Sequence, residues 1–175
     1  MGEPAPWLAQ LIEALKLLGQ GHADQAAALR EAAYAAAPET PGEIDGTRFD
    51  WIADADMRLG PVLEVVLNGR YFWLPFDQIQ KLEIDAPTDL RDTVWMAGTV
   101  TLVNEGALPV FIPTRYPGST AADGAVRLAR TTLWQDAGSG AYTGVGQRLF
   151  TIGEQDFALM DIRLLQIGKQ DGADG

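Results

Sequence analysis

The sequence contains no cysteine, and one histidine, His22, in 175 residues. The first absence excludes disulfides, thiolate nucleophiles and cysteine-based zinc sites. The second leaves Ser119 and Ser139 without the His–carboxylate system that a serine-type triad needs. His22 falls in a polar turn between two helical segments, which offers no pocket for general-base work and no second imidazole for a transition metal. No apolar run approaches about 18 residues, the length a membrane-spanning helix requires. Met1-Gly2-Glu3-Pro4-Ala5-Pro6 lacks a basic segment followed by an apolar one, and Pro6 stands where myristoylation wants Ser or Thr. The expected address is therefore the cytoplasm. Positive charge is scarce: 13 Lys and Arg, scattered along the chain, face 24 Asp and Glu for a net −11. Such a chain repels phosphate backbones and anionic bilayers, while a partner with a basic face is allowed.

What is present is a globular composition, 47% hydrophobic and 21% charged. A chain of this length makes one full-sized domain, burying roughly 70% of its unfolded surface without a covalent or metal staple. Residues 7–37 read as two helices. Trp7, Leu8, Leu11, Ile12, Leu15 and Leu18 share one face of the first, with Gln10, Glu13 and Lys16 opposite. Pro4 and Pro6 precede it and Gly19-Gln20-Gly21 ends it. The second, about Ala23 to Ala37, turns Ala26, Leu29, Ala33 and Ala36-Ala37 inward, small residues that admit a neighbouring helix. The pair resembles one tetratricopeptide-type unit, which cannot bury its own apolar face and must dock on something else.

From about Thr47 the hydrophobic period changes to two. Val62 to Leu67, then Asn68-Gly69, then Arg70 to Leu74, predicts a hairpin with a type I′ turn. Further strands are expected at Ile79–Ile84, Val94–Val103, Leu108–Ile112, Leu128–Gln135, Thr143–Ile152 and Phe157–Ile167, with Asn104-Glu105-Gly106 as a second hairpin turn. The predicted fold is α+β: an N-terminal two-helix hairpin packed on a curved, mostly antiparallel, barrel-like sheet. The expected divisions are a helical hairpin at 1–42, a β-rich domain at 43–168 and a disordered tail at 169–175.

Two polar segments are candidates for chemistry or contact. In Asp50-Trp51-Ile52-Ala53-Asp54-Ala55-Asp56-Met57-Arg58, Asp54 and Asp56 at i, i+2 share one face of a strand, a spacing open to paired-carboxylate acid–base work. The Gly and distal Glu of a calcium loop are absent. The simpler reading has Arg58 bridging the carboxylates, or the carboxylates capping backbone amides. In Thr114-Arg115-Tyr116-Pro117-Gly118-Ser119, the aromatic–proline step raises the expectation of a cis bond and a type VI turn. Arg115 there is able to clamp an anion, or to pair with one of the aspartates and tie two loops together. Gly144-Val145-Gly146 has no third glycine and no following helix, so it fits no phosphate-binding loop. Trp51, Trp73, Trp95 and Trp134 alternate with aliphatic residues, as core packing or as a stacking wall for a small molecule or carbohydrate. An Asp54/Asp56 hydrolase is the remaining alternative.

Five segments in order carry a resemblance: Phe49–Pro61; Asn68-Gly69-Arg70-Tyr71-Phe72-Trp73-Leu74-Pro75-Phe76; Asp89-Leu90-Arg91-Asp92; Ile112–Ser119; and Gly144-Val145-Gly146-Gln147-Arg148. Together they resemble the ImpE / TagJ family, also labelled SciE-type virulence proteins, from about Trp7 to Leu165. The resemblance implies a non-enzymatic accessory protein of the bacterial type VI secretion system. It implies association with the small sheath subunit, TssB, through that subunit's N-terminal helix, and no cofactor or catalytic residue. Members of the family begin with a longer helical region, of which residues 7–37 correspond to the last hairpin. The candidate contact residues are Leu29 on the helical hairpin, and the loop group Asp54, Asp56, Arg58, Arg115 and Tyr116.

Overall fold

The computed structural model describes residues 3–104 and 106–168. The expected disordered tail at 169–175, the Met1 start and Glu105 of the expected second hairpin turn lie outside them. Two helices come first, α1 (Pro6–Gly19) and α2 (Ala23–Ala36). Pro6 occupies the first turn of α1, where its missing N–H costs nothing, and Gly21 ends the segment with φ 84°. Trp7, Leu8, Leu11 and Ala14 are buried, whereas Ile12 remains 46% exposed. The inward face is thus turned toward Ala14 and away from the Ile12–Leu15 stripe the periodicity suggested. Small residues at Ala14, Ala26 and Ala33 let the two helices meet closely.

The strands follow in order: β1 (Gly42–Ile44), β2 (Thr47–Phe49), β3 (Ala53–Asp54), β4 (Val62–Leu67), β5 (Arg70–Pro75), β6 (Ile79–Ile84), β7 (Trp95–Leu102) and β8 (Ala107–Pro113). A short helix α3 (Gly124–Arg127) separates these from β9 (Thr132–Gly138), β10 (Ala141–Gly146), β11 (Leu149–Ile152), β12 (Gln155–Ala158) and β13 (Leu164–Ile167). Eight of them form one sheet in the order β2-β1-β13-β6-β7-β8-β4-β5; β9–β10 is a separate hairpin, and β12-β11-β3 a small third sheet. Every pairing is antiparallel.

The large sheet is open, ending on β2 and β5, and is not closed into the expected barrel. Closure is unnecessary because a second layer covers its inner face. Ile52, Phe150, Ile152, Leu159 and Ile162 pack there against Leu63, Val65, Leu82, Met96, Val110 and Ile112. Phe76 and Phe150 meet edge-to-face at 5.4 Å. The helical hairpin docks separately, through Trp7, Leu8, Leu11 and Ala33 on Val62 and Trp73 of β4 and β5.

The Asn68-Gly69 hairpin forms as predicted, with φ 51° and 74° at the two turn residues. Three longer strand expectations are corrected. Residues 128–131 belong to the exit of α3, and the strand starts at Thr132. The run 143–152 breaks at Gly146, whose φ of 96° ends β10, and β11 begins at Leu149. The run 157–167 is interrupted by a 3-10 turn at Leu159–Asp161, which sends β13 back to the large sheet.

Candidate functional site

The polar residues that the sequence offered converge on one junction, where β3, β4, β10, β11 and the loop after β8 meet. Asp54 ends β3, and its carboxylate is fully engaged. Oδ1 accepts from the Asp56 backbone N–H (2.9 Å) and from the Tyr116 hydroxyl (2.7 Å). Oδ2 accepts from the Arg148 guanidinium (2.6 Å). Arg148 is completely buried. Its second arm donates to Glu64 on β4, and its Nε donates to the Pro113 carbonyl at the end of β8 (2.9 Å). The guanidinium lies 4.9 Å from the Tyr116 ring centre. One cation therefore ties the small sheet to the large one at a cost in desolvation that only complete bonding offsets.

Asp56 forms the second half. Its two oxygens take the Arg58 side chain in a forked pair, Nε at 2.9 Å and Nη2 at 2.6 Å. They also accept from the backbone N–H of Arg58 (2.9 Å) and of Gly144 on β10 (2.8 Å). The Asp56 bonding holds Arg58 above the usual guanidinium range, with burial opposing it. Arg58 does not bridge the two carboxylates, since it pairs with Asp56 alone, but both aspartates accept from backbone N–H groups as the capping alternative expects.

Charge and burial set the protonation. Burial pushes Asp54 up to about 6, against the pull of Arg148, Tyr116 and the Asp56 N–H. Burial and then the Asp54 charge raise Tyr116 well above the ordinary phenol range, so its hydroxyl stays a donor to Asp54 while accepting from the Leu149 N–H (3.0 Å). On the solvent side, the Tyr71 hydroxyl donates to Glu64 and accepts from the Trp73 indole N–H (2.8 Å), extending the chain of bonds to β5.

The glycines around β10 now have a reason. A Cβ at Gly144 would lie 2.5 Å from the Tyr116 ring, and Gly146 turns back beneath the Thr131 carbonyl. The Gly146 N–H donates to the Ser119 hydroxyl (2.7 Å), which itself donates to the Tyr116 carbonyl (2.6 Å). The Gly144–Arg148 segment is a clamp on the loop after β8 and fits no phosphate loop. Asp89-Leu90-Arg91-Asp92 is a capping box: Asp89 accepts from the Arg91 N–H and Asp92 accepts from the Asp89 and Thr88 N–H groups. Those bonds hold the Asp92 carboxyl below the usual range.

Several expectations are corrected by this geometry. Arg115 pairs with neither aspartate; it is half-buried and donates to the Arg127 carbonyl (2.6 Å), pinning α3. The cation that pairs with Asp54 is Arg148, which the sequence marked only within the Gly144–Arg148 segment, and Glu64 was not singled out at all. No peptide bond among the described residues is cis, so Tyr116–Pro117 makes no type VI turn. Asp54, Asp56 and Tyr116 are buried and unable to touch a partner directly, whereas Arg58, Arg115 and Leu29 are part-exposed. The tryptophans do not share a cleft. Trp51 lies by Tyr34, Trp134 by Tyr116, and Trp73 and Trp95 stand three strands apart on the outer face of the large sheet. An open depression of about 460 Å³ near Glu43, Arg48 and Asp50 contains none of the candidate residues. Among the described residues no helix is long and apolar enough to cross a membrane.

The ImpE protein family model matches residues 46–166, a span that holds all five segments quoted above. The type VI secretion system accessory component TagJ of Pseudomonas aeruginosa (strain PAO1) is 48% identical over 172 residues, covering 98% of this chain and 60% of that protein. The crystal structure of protein VPA1032 from Vibrio parahaemolyticus superposes with a TM-score of 0.87 at 26% identity, covering 97% of this chain and 64% of that one. The chain therefore spans under two thirds of the length of each relative.

Proposed function

The chain belongs to the ImpE family, and from that premise we propose that it serves as an accessory component of a bacterial type VI secretion system, acting by protein binding without catalysis. The observation that carries this reading is the 48% identity to the Pseudomonas component across nearly the whole chain. The junction chemistry supports it. Asp54 and Asp56, the best candidates for acid–base work, spend their oxygens on Arg148, Tyr116, Arg58 and backbone N–H groups, so neither is aimed at a substrate. The bacterial cytoplasm is the compartment this role requires.

The proposed partner is the small sheath subunit, a TssB-like protein, engaged through its N-terminal helix. An amphipathic helix laid in a groove is a common recognition mode, and paired helices build such grooves. Ile12, exposed on α1, and Leu29, half-buried on α2, are among the apolar residues available there. The rival contact surface is the rim of the junction, Arg58 and Arg115, with Asp54, Asp56 and Tyr116 holding it from beneath. Calorimetric titration of the sheath subunit's N-terminal peptide separates the two. Leu29→Asp in a folded variant is expected to weaken binding about tenfold or more, by placing a charge in an apolar contact, while Arg115→Ala leaves affinity near wild type. The opposite pattern transfers the site to the rim, and no binding by the unaltered chain removes the proposed partner.

A further inference from the structure

Sheet edges are where chains pair, and folded proteins blunt them with short strands, bulges, charges or proline. Most free edges here carry such a device. β2 has three residues with Arg48 at its centre, β3 has two, and β12 has four with Asp156 among them. The β9–β10 hairpin has a bulge between Ala141 and Tyr142 and carries Asp136. β5 differs. Six residues pair with β4 in unbroken register, the four inside it are Tyr71, Phe72, Trp73 and Leu74, and Arg70 and Pro75 stand only at its ends.

The hydrogen-bonding phase identifies which backbone groups of β5 are free. Phe76 N–H donates to the Pro61 carbonyl (3.1 Å) just past the strand. In an antiparallel ladder the bonded pairs alternate, so Leu74, Phe72 and Arg70 bond to β4 while the N–H and C=O of Tyr71 and Trp73 point away from the sheet. Next to them the outer face is apolar. Cross-strand pairing lines up Ala97, Phe111, Val66 and Tyr71 in one row, with Phe111 49% and Tyr71 56% exposed.

We propose that β5 is a self-association edge, joining the large sheets of two copies of this chain antiparallel about a twofold axis at Phe72. The strand is self-complementary in that register. Tyr71 falls opposite Trp73 of the second copy, and Trp73 opposite Tyr71 of it, so each free N–H meets a free carbonyl in four bonds. Phe72 faces its own symmetry mate on the inner side, and the aromatic pair continues the apolar row on the outer side. Arg70 lies opposite Leu74, so no like charges are paired across the seam. A ladder of this length falls short of the roughly 1,200 Å² of a standard interface, so the pairing is weak and concentration-dependent. Each copy carries −11, and added salt strengthens it by screening that repulsion.

Sedimentation velocity over a rising protein concentration, at low and high salt, reads the association. The expected result is reversible doubling of mass, favoured by salt, and weakened about tenfold or more by Tyr71→Lys, the blunting charge natural edges use. Amide hydrogen exchange on the unaltered chain is independent of any variant's stability. Tyr71 and Trp73 N–H groups should gain protection as concentration rises, while Phe72 and Leu74 stay protected throughout. A monomer at every concentration, or a dimer with unchanged exchange at Tyr71 and Trp73, overturns the proposal.

Discussion

Replacing Arg148 with methionine is expected to destabilise the domain by about 3–5 kcal/mol, a large share of the roughly 5–15 kcal/mol a domain has in total. Methionine fills much of the volume, so the loss is electrostatic. It strands Asp54 and Glu64, and the Pro113 carbonyl loses its donor. The layers held at this point are the large sheet through β4 and β8 and the small sheet through β3 and β11, so the damage is not local. Denaturant unfolding at pH 7 reads the effect as a lower midpoint. Replacing all three charges together, with Asp54→Leu and Glu64→Met added, should recover much of the loss, because a buried ion triad stabilises little relative to apolar groups of similar volume. A loss below about 1 kcal/mol for Arg148→Met would contradict the clamp.

Asp54 gives the second large effect, through pH. Its folded value of about 6 lies above the ordinary 3.8, chiefly because burial disfavours the charge. A raised folded value means that the folded state holds the proton more tightly than the unfolded chain. The contribution is fully present below the unfolded value and is lost as pH rises through the folded one. Relative to Asp54→Asn, which cannot ionise, the wild type should therefore gain stability as pH falls from 7 through 6, levelling off near 3.8. The gain is on the order of 2–3 kcal/mol. Paired melts of the two proteins across that range provide the check. A difference that shrinks as pH falls would mean that Arg148 and Tyr116, and not burial, dominate the site.

Local patterns were legible in the sequence and distant pairings were not. Asn68-Gly69 dictates its own turn, and the two helices are bounded by proline and glycine; Ile79–Ile84 alternates only imperfectly, because a bulge between Ile79 and Lys81 turns Ile79 inward along with Leu82 and Ile84. Closure of the sheet was not legible, because it depends on whether another layer covers the inner face. The spacing to Arg58 offered ion pairing or capping as one reading of the aspartates, and only Asp56 makes that pair. Yet Asp54 meets Arg148 across 94 residues and Tyr116 across 62, distances over which no periodicity speaks. Arg115 and Arg148 look equivalent in sequence. The positive-φ break at Gly146 and the tight seat of Tyr116 over Gly144 set Arg148 inward while Arg115 turns toward α3. The glycines that looked like a failed phosphate loop were the visible sign of that packing.

The central claim is that function sits on the surface and the buried charges only hold that surface in place. Titrating the sheath small subunit against the unaltered chain and against folded Asp54→Asn tests it most directly. The account predicts binding by both, with affinities within about twofold, since a neutral residue at the junction changes stability and not the contact face. No binding by the unaltered chain, or its loss in a variant that remains folded, would contradict it.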